Sequence, residues 1–174
     1  YSEAALANYV GFPVKSACSE LTARAMATKA FLNAKKLSSE TVYGVGATAA
    51  LQTNRQRRGT DRIHVAIQSQ ANLTTYLLEL DPGQTREEQE YECASMIIHC
   101  IAQALRVDQT GHPQTITPTY SQDAPQAWQN LLFGAESVTD LHSYKGISPG
   151  AFNPPHDGHL AISEIAEKRL NGPV

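Results

Sequence analysis

The sequence predicts an α/β protein in two parts. Three observations carry that prediction. Helical and strand patterns follow one another over residues 1 to 106 as helix, strand, hairpin and helix; residues 107 to 144 turn to a composition rich in Thr, Gln, Ser and Pro; and a Gly/Pro-rich turn near residue 150 separates a short extended run from a further helical pattern.

Ser2 to Asn8 reads as a short helix, ended by Gly11 and Pro13. From Ser16 to about Lys36, Leu21, Ala25, Thr28 and Leu32 recur at four-three-four spacing, which predicts an amphipathic helix with Ser16 and Ser19 as candidate caps. Thr41 to Ala49, rich in Val, Thr and Gly, reads as a buried strand. Ile63, Val65 and Ile67 alternate with His64, Ala66 and Gln68 in a second strand, and Ser69-Gln70-Ala71-Asn72 turns the chain into a third, Leu73 to Leu80. Thr85 with Glu88 is a capping box that opens a long helix to Leu105, with Ala94, Ile97, Ile98, Ile101 and Leu105 expected to face the core.

Asp108 to Gln126 contains Gly111, Pro113, Pro118 and Pro125 and reads as a linker without a helix or strand of its own. Ala127 to Phe133 is then a short helix stopped by Gly134, with Trp128, Leu131 and Leu132 expected to dock on a neighbouring element, because leaving each in water costs about 1.5 to 3 kcal/mol. Lys145 to Ser148 reads as a short strand. Leu160, Ile162, Ile165 and Ala166 give the helical pattern that follows.

With 174 residues, 41% hydrophobic residues and a formal charge of −3, the composition suits one modest domain plus the start of another. That charge gives no electrostatic case for nucleic acid, and Arg55, Arg57, Arg58 and Arg62 make only a local basic cluster. Cys93 and Cys100 fall on one predicted helix about 10 Å apart in rise, too far to bond, so a reducing compartment is expected, with cytosol (cytoplasmic) and mitochondrial matrix equally open. No run reaches membrane-spanning length, and nothing at Tyr1 resembles a signal peptide. The start in mid-pattern, without an initiator methionine, leads us to expect further chain before Tyr1.

The run from Ser148 to Leu160, Ser-Pro-Gly-Ala-Phe-Asn-Pro-Pro-His-Asp-Gly-His-Leu, carries the most chemistry. It places His156 and His159 where a strand passes into a helix, so free N–H groups and the positive end of the helix dipole converge on two imidazoles that can donate to phosphate oxygens. Gly150 and Gly158 would let the backbone approach such a phosphate closely. The segment resembles the Gly-x-Phe-Asx-Pro-x-His-x-Gly-His signature of the nucleotidylyltransferases, the family of nicotinate and nicotinamide mononucleotide adenylyltransferases, phosphopantetheine adenylyltransferase and the cytidylyltransferases. That resemblance implies a Rossmann-like domain in which Gly150, Phe152 and Asn153 line the nucleotide. It implies that His156, Gly158 and His159 bind the triphosphate, that both histidines are catalytic, and that Mg2+ accompanies the nucleoside triphosphate. The acceptor would be a mononucleotide or a phosphate ester. The chain ends 15 residues after His159, so only the first βα unit of such a domain is expected, and this piece by itself is expected to be inactive.

Residues 1 to 106 resemble the C-terminal domain of the CinA family, whose active members are nicotinamide-nucleotide amidohydrolases, which implies a three-layer α/β domain. Tyr1-Ser2-Glu3-Ala4-Ala5-Leu6 is similar to that family's Tyr-Ser-Asn-x-x-Lys element, Val42 to Ala49 to its Thr-Gly-Ile-Ala-Gly-Pro strand and loop, and Pro82-Gly83-Gln84-Thr85-Arg86 to its Gly-(Asp/Asn)-Arg helix start. The departures are chemical. The family's nucleophilic Ser would lie before Tyr1, Leu6 stands where its Lys belongs, and Gly46-Ala47-Thr48-Ala49-Ala50 lacks the Gly-Pro-x-Gly-Gly pattern of the substrate loop. A leucine cannot activate a serine hydroxyl, so a degenerate, scaffold-like domain is expected.

Arg86 is a candidate phosphate contact, set against the reading that it is surface charge in a capping turn. Glu87, Glu88, Glu90 and Glu92 are explained by the helix dipole and solvent. His64, His99, His112 and His142 share no metal-ligand spacing with a carboxylate or thiol, so no metal site is expected. Two functions stand side by side: a nucleotidylyltransferase-like parent protein, with a nicotinamide or nicotinate mononucleotide acceptor suggested by the pairing of the two parts, and a non-catalytic subunit of a homo-oligomer or larger complex. Leu6 and the altered 46–50 loop predict that the chain releases no ammonia from millimolar nicotinamide mononucleotide above a protein-free blank; release above that blank would contradict the degenerate reading.

Overall fold

A computed structural model describes residues 2–54, 59–107, 116–137, 144–148 and 156–174. They form helices α1 (Glu3–Val10), α2 (Glu20–Leu37), α3 (Arg86–Ala104), α4 (Gln126–Leu132) and α5 (Asp157–Leu170), and strands β1 (Gly44–Ala50), β2 (Arg62–Gln68), β3 (Asn72–Glu79) and β4 (Tyr120–Asp123). The chain divides into two units, Tyr1–Gln129 and Asn130–Val174.

The first unit is a mixed α/β structure around a four-stranded antiparallel sheet in the order β1-β2-β3-β4. The alternation read from the sequence of β2 divides it between two layers. Ile63, Val65 and Ile67 join Tyr76 and Leu80 under Cys93, Met96 and Cys100 of α3, while Ala66 faces Ala23 and Ala27 of α2. Helix α2 lies over β1 and β2 at very close range. A Cβ on Gly44 would stand 2.0 Å from the Ala27 carbonyl oxygen and one on Gly46 2.1 Å from that of Ala23, so only glycine fits at either place. Ser19 caps α2 by accepting the Thr22 N–H at 3.2 Å, and Ser2 and Gly11 (φ +93°) bound α1.

Both long helices form, α3 with its expected extent and α2 from Glu20 instead of Ser16, but each is rotated from the face expected of it. On α2 the buried residues are Thr22, Ala23, Ala27 and Phe31, whereas Leu21 is 73% exposed and Leu32 lies at the surface. Small side chains at 23 and 27 are what let the helix reach the glycines, a demand that hydrophobicity alone does not express. On α3 the buried stripe is Gln89, Cys93, Met96, His99 and Cys100, flanked by half-buried Ile97 and Ile101; Ala94, Ile98 and Leu105 are exposed.

Three further expectations are corrected. The stretch read as a featureless linker supplies β4, which pairs with β3 from Asn72↔Asp123 to Thr75↔Tyr120. Its sequence, Tyr-Ser-Gln-Asp, has no apolar alternation, because an edge strand needs only the backbone ladder and here gains bonds from Asn72 Nδ2 to Ser121 Oγ (3.0 Å) and Asp123 Oδ1 (2.8 Å). The Arg24 guanidinium also lies 4.7 Å from the Tyr120 ring centroid. Helix α4 forms and stops at Gly134 (φ +71°), but Trp128, Leu131 and Leu132 are exposed rather than docked. Residues 145–148 are not a strand: the Lys145 N–H donates to the Pro173 carbonyl at 2.8 Å, and no strand among the described residues pairs with this run.

Met96→Ala should therefore cost about 2 to 5 kcal/mol in denaturant unfolding and Ile98→Ala less than about 0.5. Gly46→Ala should cost at least about 2 kcal/mol, because its methyl would meet backbone rather than a yielding side chain. Equal losses for Met96→Ala and Ile98→Ala would refute this helix register.

Candidate functional site

Helix α5 begins with a reciprocal cap made by two histidines. His156, extended at the N-cap position, accepts the Gly158 N–H on Nδ1 at 3.1 Å, and His159 Nδ1 accepts the His156 N–H at 3.2 Å. This is the capping-box spacing, with imidazoles in place of the usual hydroxyl and carboxylate. The rings stack with centroids 3.7 Å apart and planes 29° from parallel. Gly158 permits this: a Cβ there would lie 3.0 Å from Cε1 and 3.1 Å from Nδ1 of His156. The glycine seats the His156 ring on the helix start.

The cap sets the chemistry of both rings. An Nδ1 that accepts carries no proton, so each neutral imidazole holds its hydrogen on Nε2 and is a donor there. His156 is exposed and His159 half-buried, and Asp157 follows at the first helical position, where the dipole favours a carboxylate. The amides are largely committed: those of His159 and Leu160 donate to the His156 carbonyl at 2.8 and 3.4 Å. What this helix start offers is therefore carried mainly by imidazole N–H groups. Gly150, Phe152 and Asn153 lie outside the described residues, as do Arg55, Arg57, Arg58, His112 and His142.

In the first unit Arg86 opens α3. Its Nε pairs with Glu90 at 2.6 Å and its Nη1 donates to the Gln52 carbonyl at 3.0 Å, so the guanidinium ties α3 to the end of β1. The Thr85–Glu88 capping box forms as expected, and the two bonds from Thr85 hold the exposed Glu88 carboxyl below its usual range. Leu6 is the one buried residue of α1.

Sequence reasoning missed Gln89. It is fully buried, accepts the Gln52 N–H on Oε1 at 2.7 Å, and donates through Nε2 to Asp61 Oδ2 at 2.9 Å and to the Asp81 carbonyl at 3.4 Å. One amide thus joins the chain after β1, before β2 and after β3. Its signal was the position, one turn before Cys93 on the buried stripe. Burial pushes the Cys93 thiol up to about 11, aided by Glu92, and the Cys100 thiol up to about 12; it also pushes the Tyr76 phenol up to about 12, with Cys100 adding to the effect. Neither thiol is then a nucleophile near neutral pH. Burial, followed by Arg62, lowers the pKa of His64. Among the described residues no three His, Cys, Asp or Glu side chains are grouped to hold a metal ion.

Gln89→Met keeps the volume but strips the Gln52 N–H of its acceptor and Asp61 of a donor, so it should cost about 2 to 4 kcal/mol in denaturant unfolding. A loss under about half a kcal/mol would mean that these loops are held by other contacts.

No family model, curated protein or solved structure matches this chain.

Proposed function

We propose that the parent of this chain transfers a nucleotidyl group from a nucleoside triphosphate, ATP or CTP, to a phosphate-bearing acceptor, and that the first unit is a catalytically silent CinA-like scaffold. The observation that supports it is the stacked histidine pair at the start of α5, each ring locked as an Nε2–H donor by its Nδ1 bond. In the reaction an oxygen of the acceptor phosphate bonds to the α-phosphorus while the bond from that phosphorus to the bridging oxygen breaks, and pyrophosphate leaves. Negative charge grows on the departing oxygens. Donors already oriented by their own cap meet that charge without reorganising, which is where such groups contribute most.

Magnesium would ride on the triphosphate oxygens with several of its waters, as this cation does with nucleotides, and needs no cage of protein carboxylates. The acceptor is a mononucleotide or a phosphate ester; nicotinamide or nicotinate mononucleotide is favoured only by association with the first unit. No helix among the described residues is long and apolar enough to cross a membrane. Buried Leu6 and the exposed Leu160, Ile162 and Ile165 of α5 favour a second reading, a subunit that serves a larger assembly without catalysis.

His156→Ala or His159→Ala in the full-length parent should lower pyrophosphate release with ATP or CTP and a panel of acceptors about a hundredfold or more, with the fold intact and only about 1 kcal/mol lost with the helix cap. If the parent turns over no acceptor and binds no nucleoside triphosphate by calorimetry, the assembly reading takes its place.

A further inference from the structure

We infer that the first unit carries a separate binding site for a small phosphorylated sugar, in the cleft where the last turn of α3 meets the β3–β4 edge. The cleft has a volume of ≈590 Å³, within the range of small-ligand sites, and lies at the end of α3 opposite to Arg86. Its lining is mixed, with Tyr43, Ile67, Leu105 and Pro118 beside polar groups of two kinds.

The first is a set of hydroxyls, an amide and a carboxylate fixed on one sheet face. Asn72 and Thr74 of β3 stand opposite Asp123 and Ser121 of β4. Asn72 is the hub: it donates through Nδ2 to Ser121 Oγ and Asp123 Oδ1, and accepts from Thr74 Oγ1 at 2.5 Å. The amide N–H groups point at Ser121 and Asp123, so the Asp123 carboxylate keeps lone pairs to accept; the Thr74 proton is spent on Asn72, which leaves Ser121 the donor in its 3.4 Å contact with Thr74 Oγ1 and a lone pair there to accept. A sugar, with hydroxyls that both give and take, fits such a floor. On the facing wall Gln103 accepts the Tyr76 hydroxyl at 3.0 Å on Oε1, which turns its NH2 outward as a further donor.

The second is Arg106. Its N–H donates to Gln103 and that of Val107 to Ala102, the two closing bonds of a Schellman motif, so Arg106 sits in the left-handed position at φ +55° where glycine is usual. A bulky residue at a position that favours glycine, on the rim of a cleft, points to a use for its side chain. Its guanidinium enters no ion pair among the described residues and matches the oxygens of a phosphate or carboxylate. With hydroxyl partners on the floor and one cation at the rim, the ligand carries one anionic group on a polyol, and a phosphate ester supplies both, its oxygens meeting the guanidinium fork through two parallel bonds.

The site is independent of the nucleotidyl-transfer reading and is tested without it. The chain is titrated by calorimetry with ribose 5-phosphate, ribose and inorganic phosphate in separate arms. Ribose 5-phosphate should saturate at millimolar or tighter concentration, about tenfold or more below either part alone. Arg106→Gly should weaken it about tenfold or more while raising the thermal midpoint by about a few degrees, since glycine relieves the backbone. Folding is thus not in question for the decisive variant. Asp123→Asn should weaken ribose 5-phosphate and leave inorganic phosphate unaffected. No saturation with ribose 5-phosphate, phosphate alone binding as tightly, or undiminished binding by Arg106→Gly would each overturn the proposal.

Discussion

The backbone of α2 resting on the backbone of β1 is the contact on which the rest of the first unit depends. Gly44 and Gly46 leave no room for a Cβ beneath the carbonyls of Ala27 and Ala23. Because strand residues alternate, the glycines on one face put Val45 and Ala47 on the other, where they pack against the cluster formed with α3. Ala66 of β2 continues the shallow trough under α2, and Thr48 Oγ1 reaches the Ser19 carbonyl at 3.3 Å, which holds the start of the helix over the end of the strand. Sheet and helix approach closely on one face, and the larger Ile, Met and Tyr side chains fill the other.

That division gives α3 its two ends. At its start, buried Gln89 and half-exposed Arg86 draw together the chain segments at one edge of the strands, so a polar side chain at the core boundary takes the place of an apolar plug. At its last turn the α3 layer stops short of β4, and the polar pairs of β3 and β4 are left beside the helix end instead of under it. The buried His99 and the two neutral thiols lie along the same stripe as Gln89 and Met96, which makes them core residues and not reagents.

The histidine pair shows how a chemical motif and a structural one can be the same residues. His-x-x-His is the spacing of a helix cap as well as of two phosphate ligands, and the structure uses the Nδ1 atoms for the first, which puts the hydrogen of each neutral ring on Nε2. Capping here narrows the tautomer that any later chemistry would use. The glycine between them serves the cap first, by making space for the His156 ring.

Local signals were legible wherever one residue type answers one local need. Thr85 and Glu88 marked the start of α3, Ser19 that of α2, Gly11 and Gly134 the ends of α1 and α4, and the Ile63–Val65–Ile67 alternation gave a strand with two clothed faces. What the sequence by itself determined was therefore the order of elements up to the end of α3, most of their boundaries and the placing of His156 and His159 at a helix start. Which residues of α2 and α3 turn inward was decided only by the tertiary structure, because depth there follows from fit against Gly44, Gly46 and the loops joined by Gln89 rather than from hydrophobicity. The same holds for β4, whose four polar residues become a strand because β3 offers an unpaired edge, and for the cleft, whose walls are far apart in sequence.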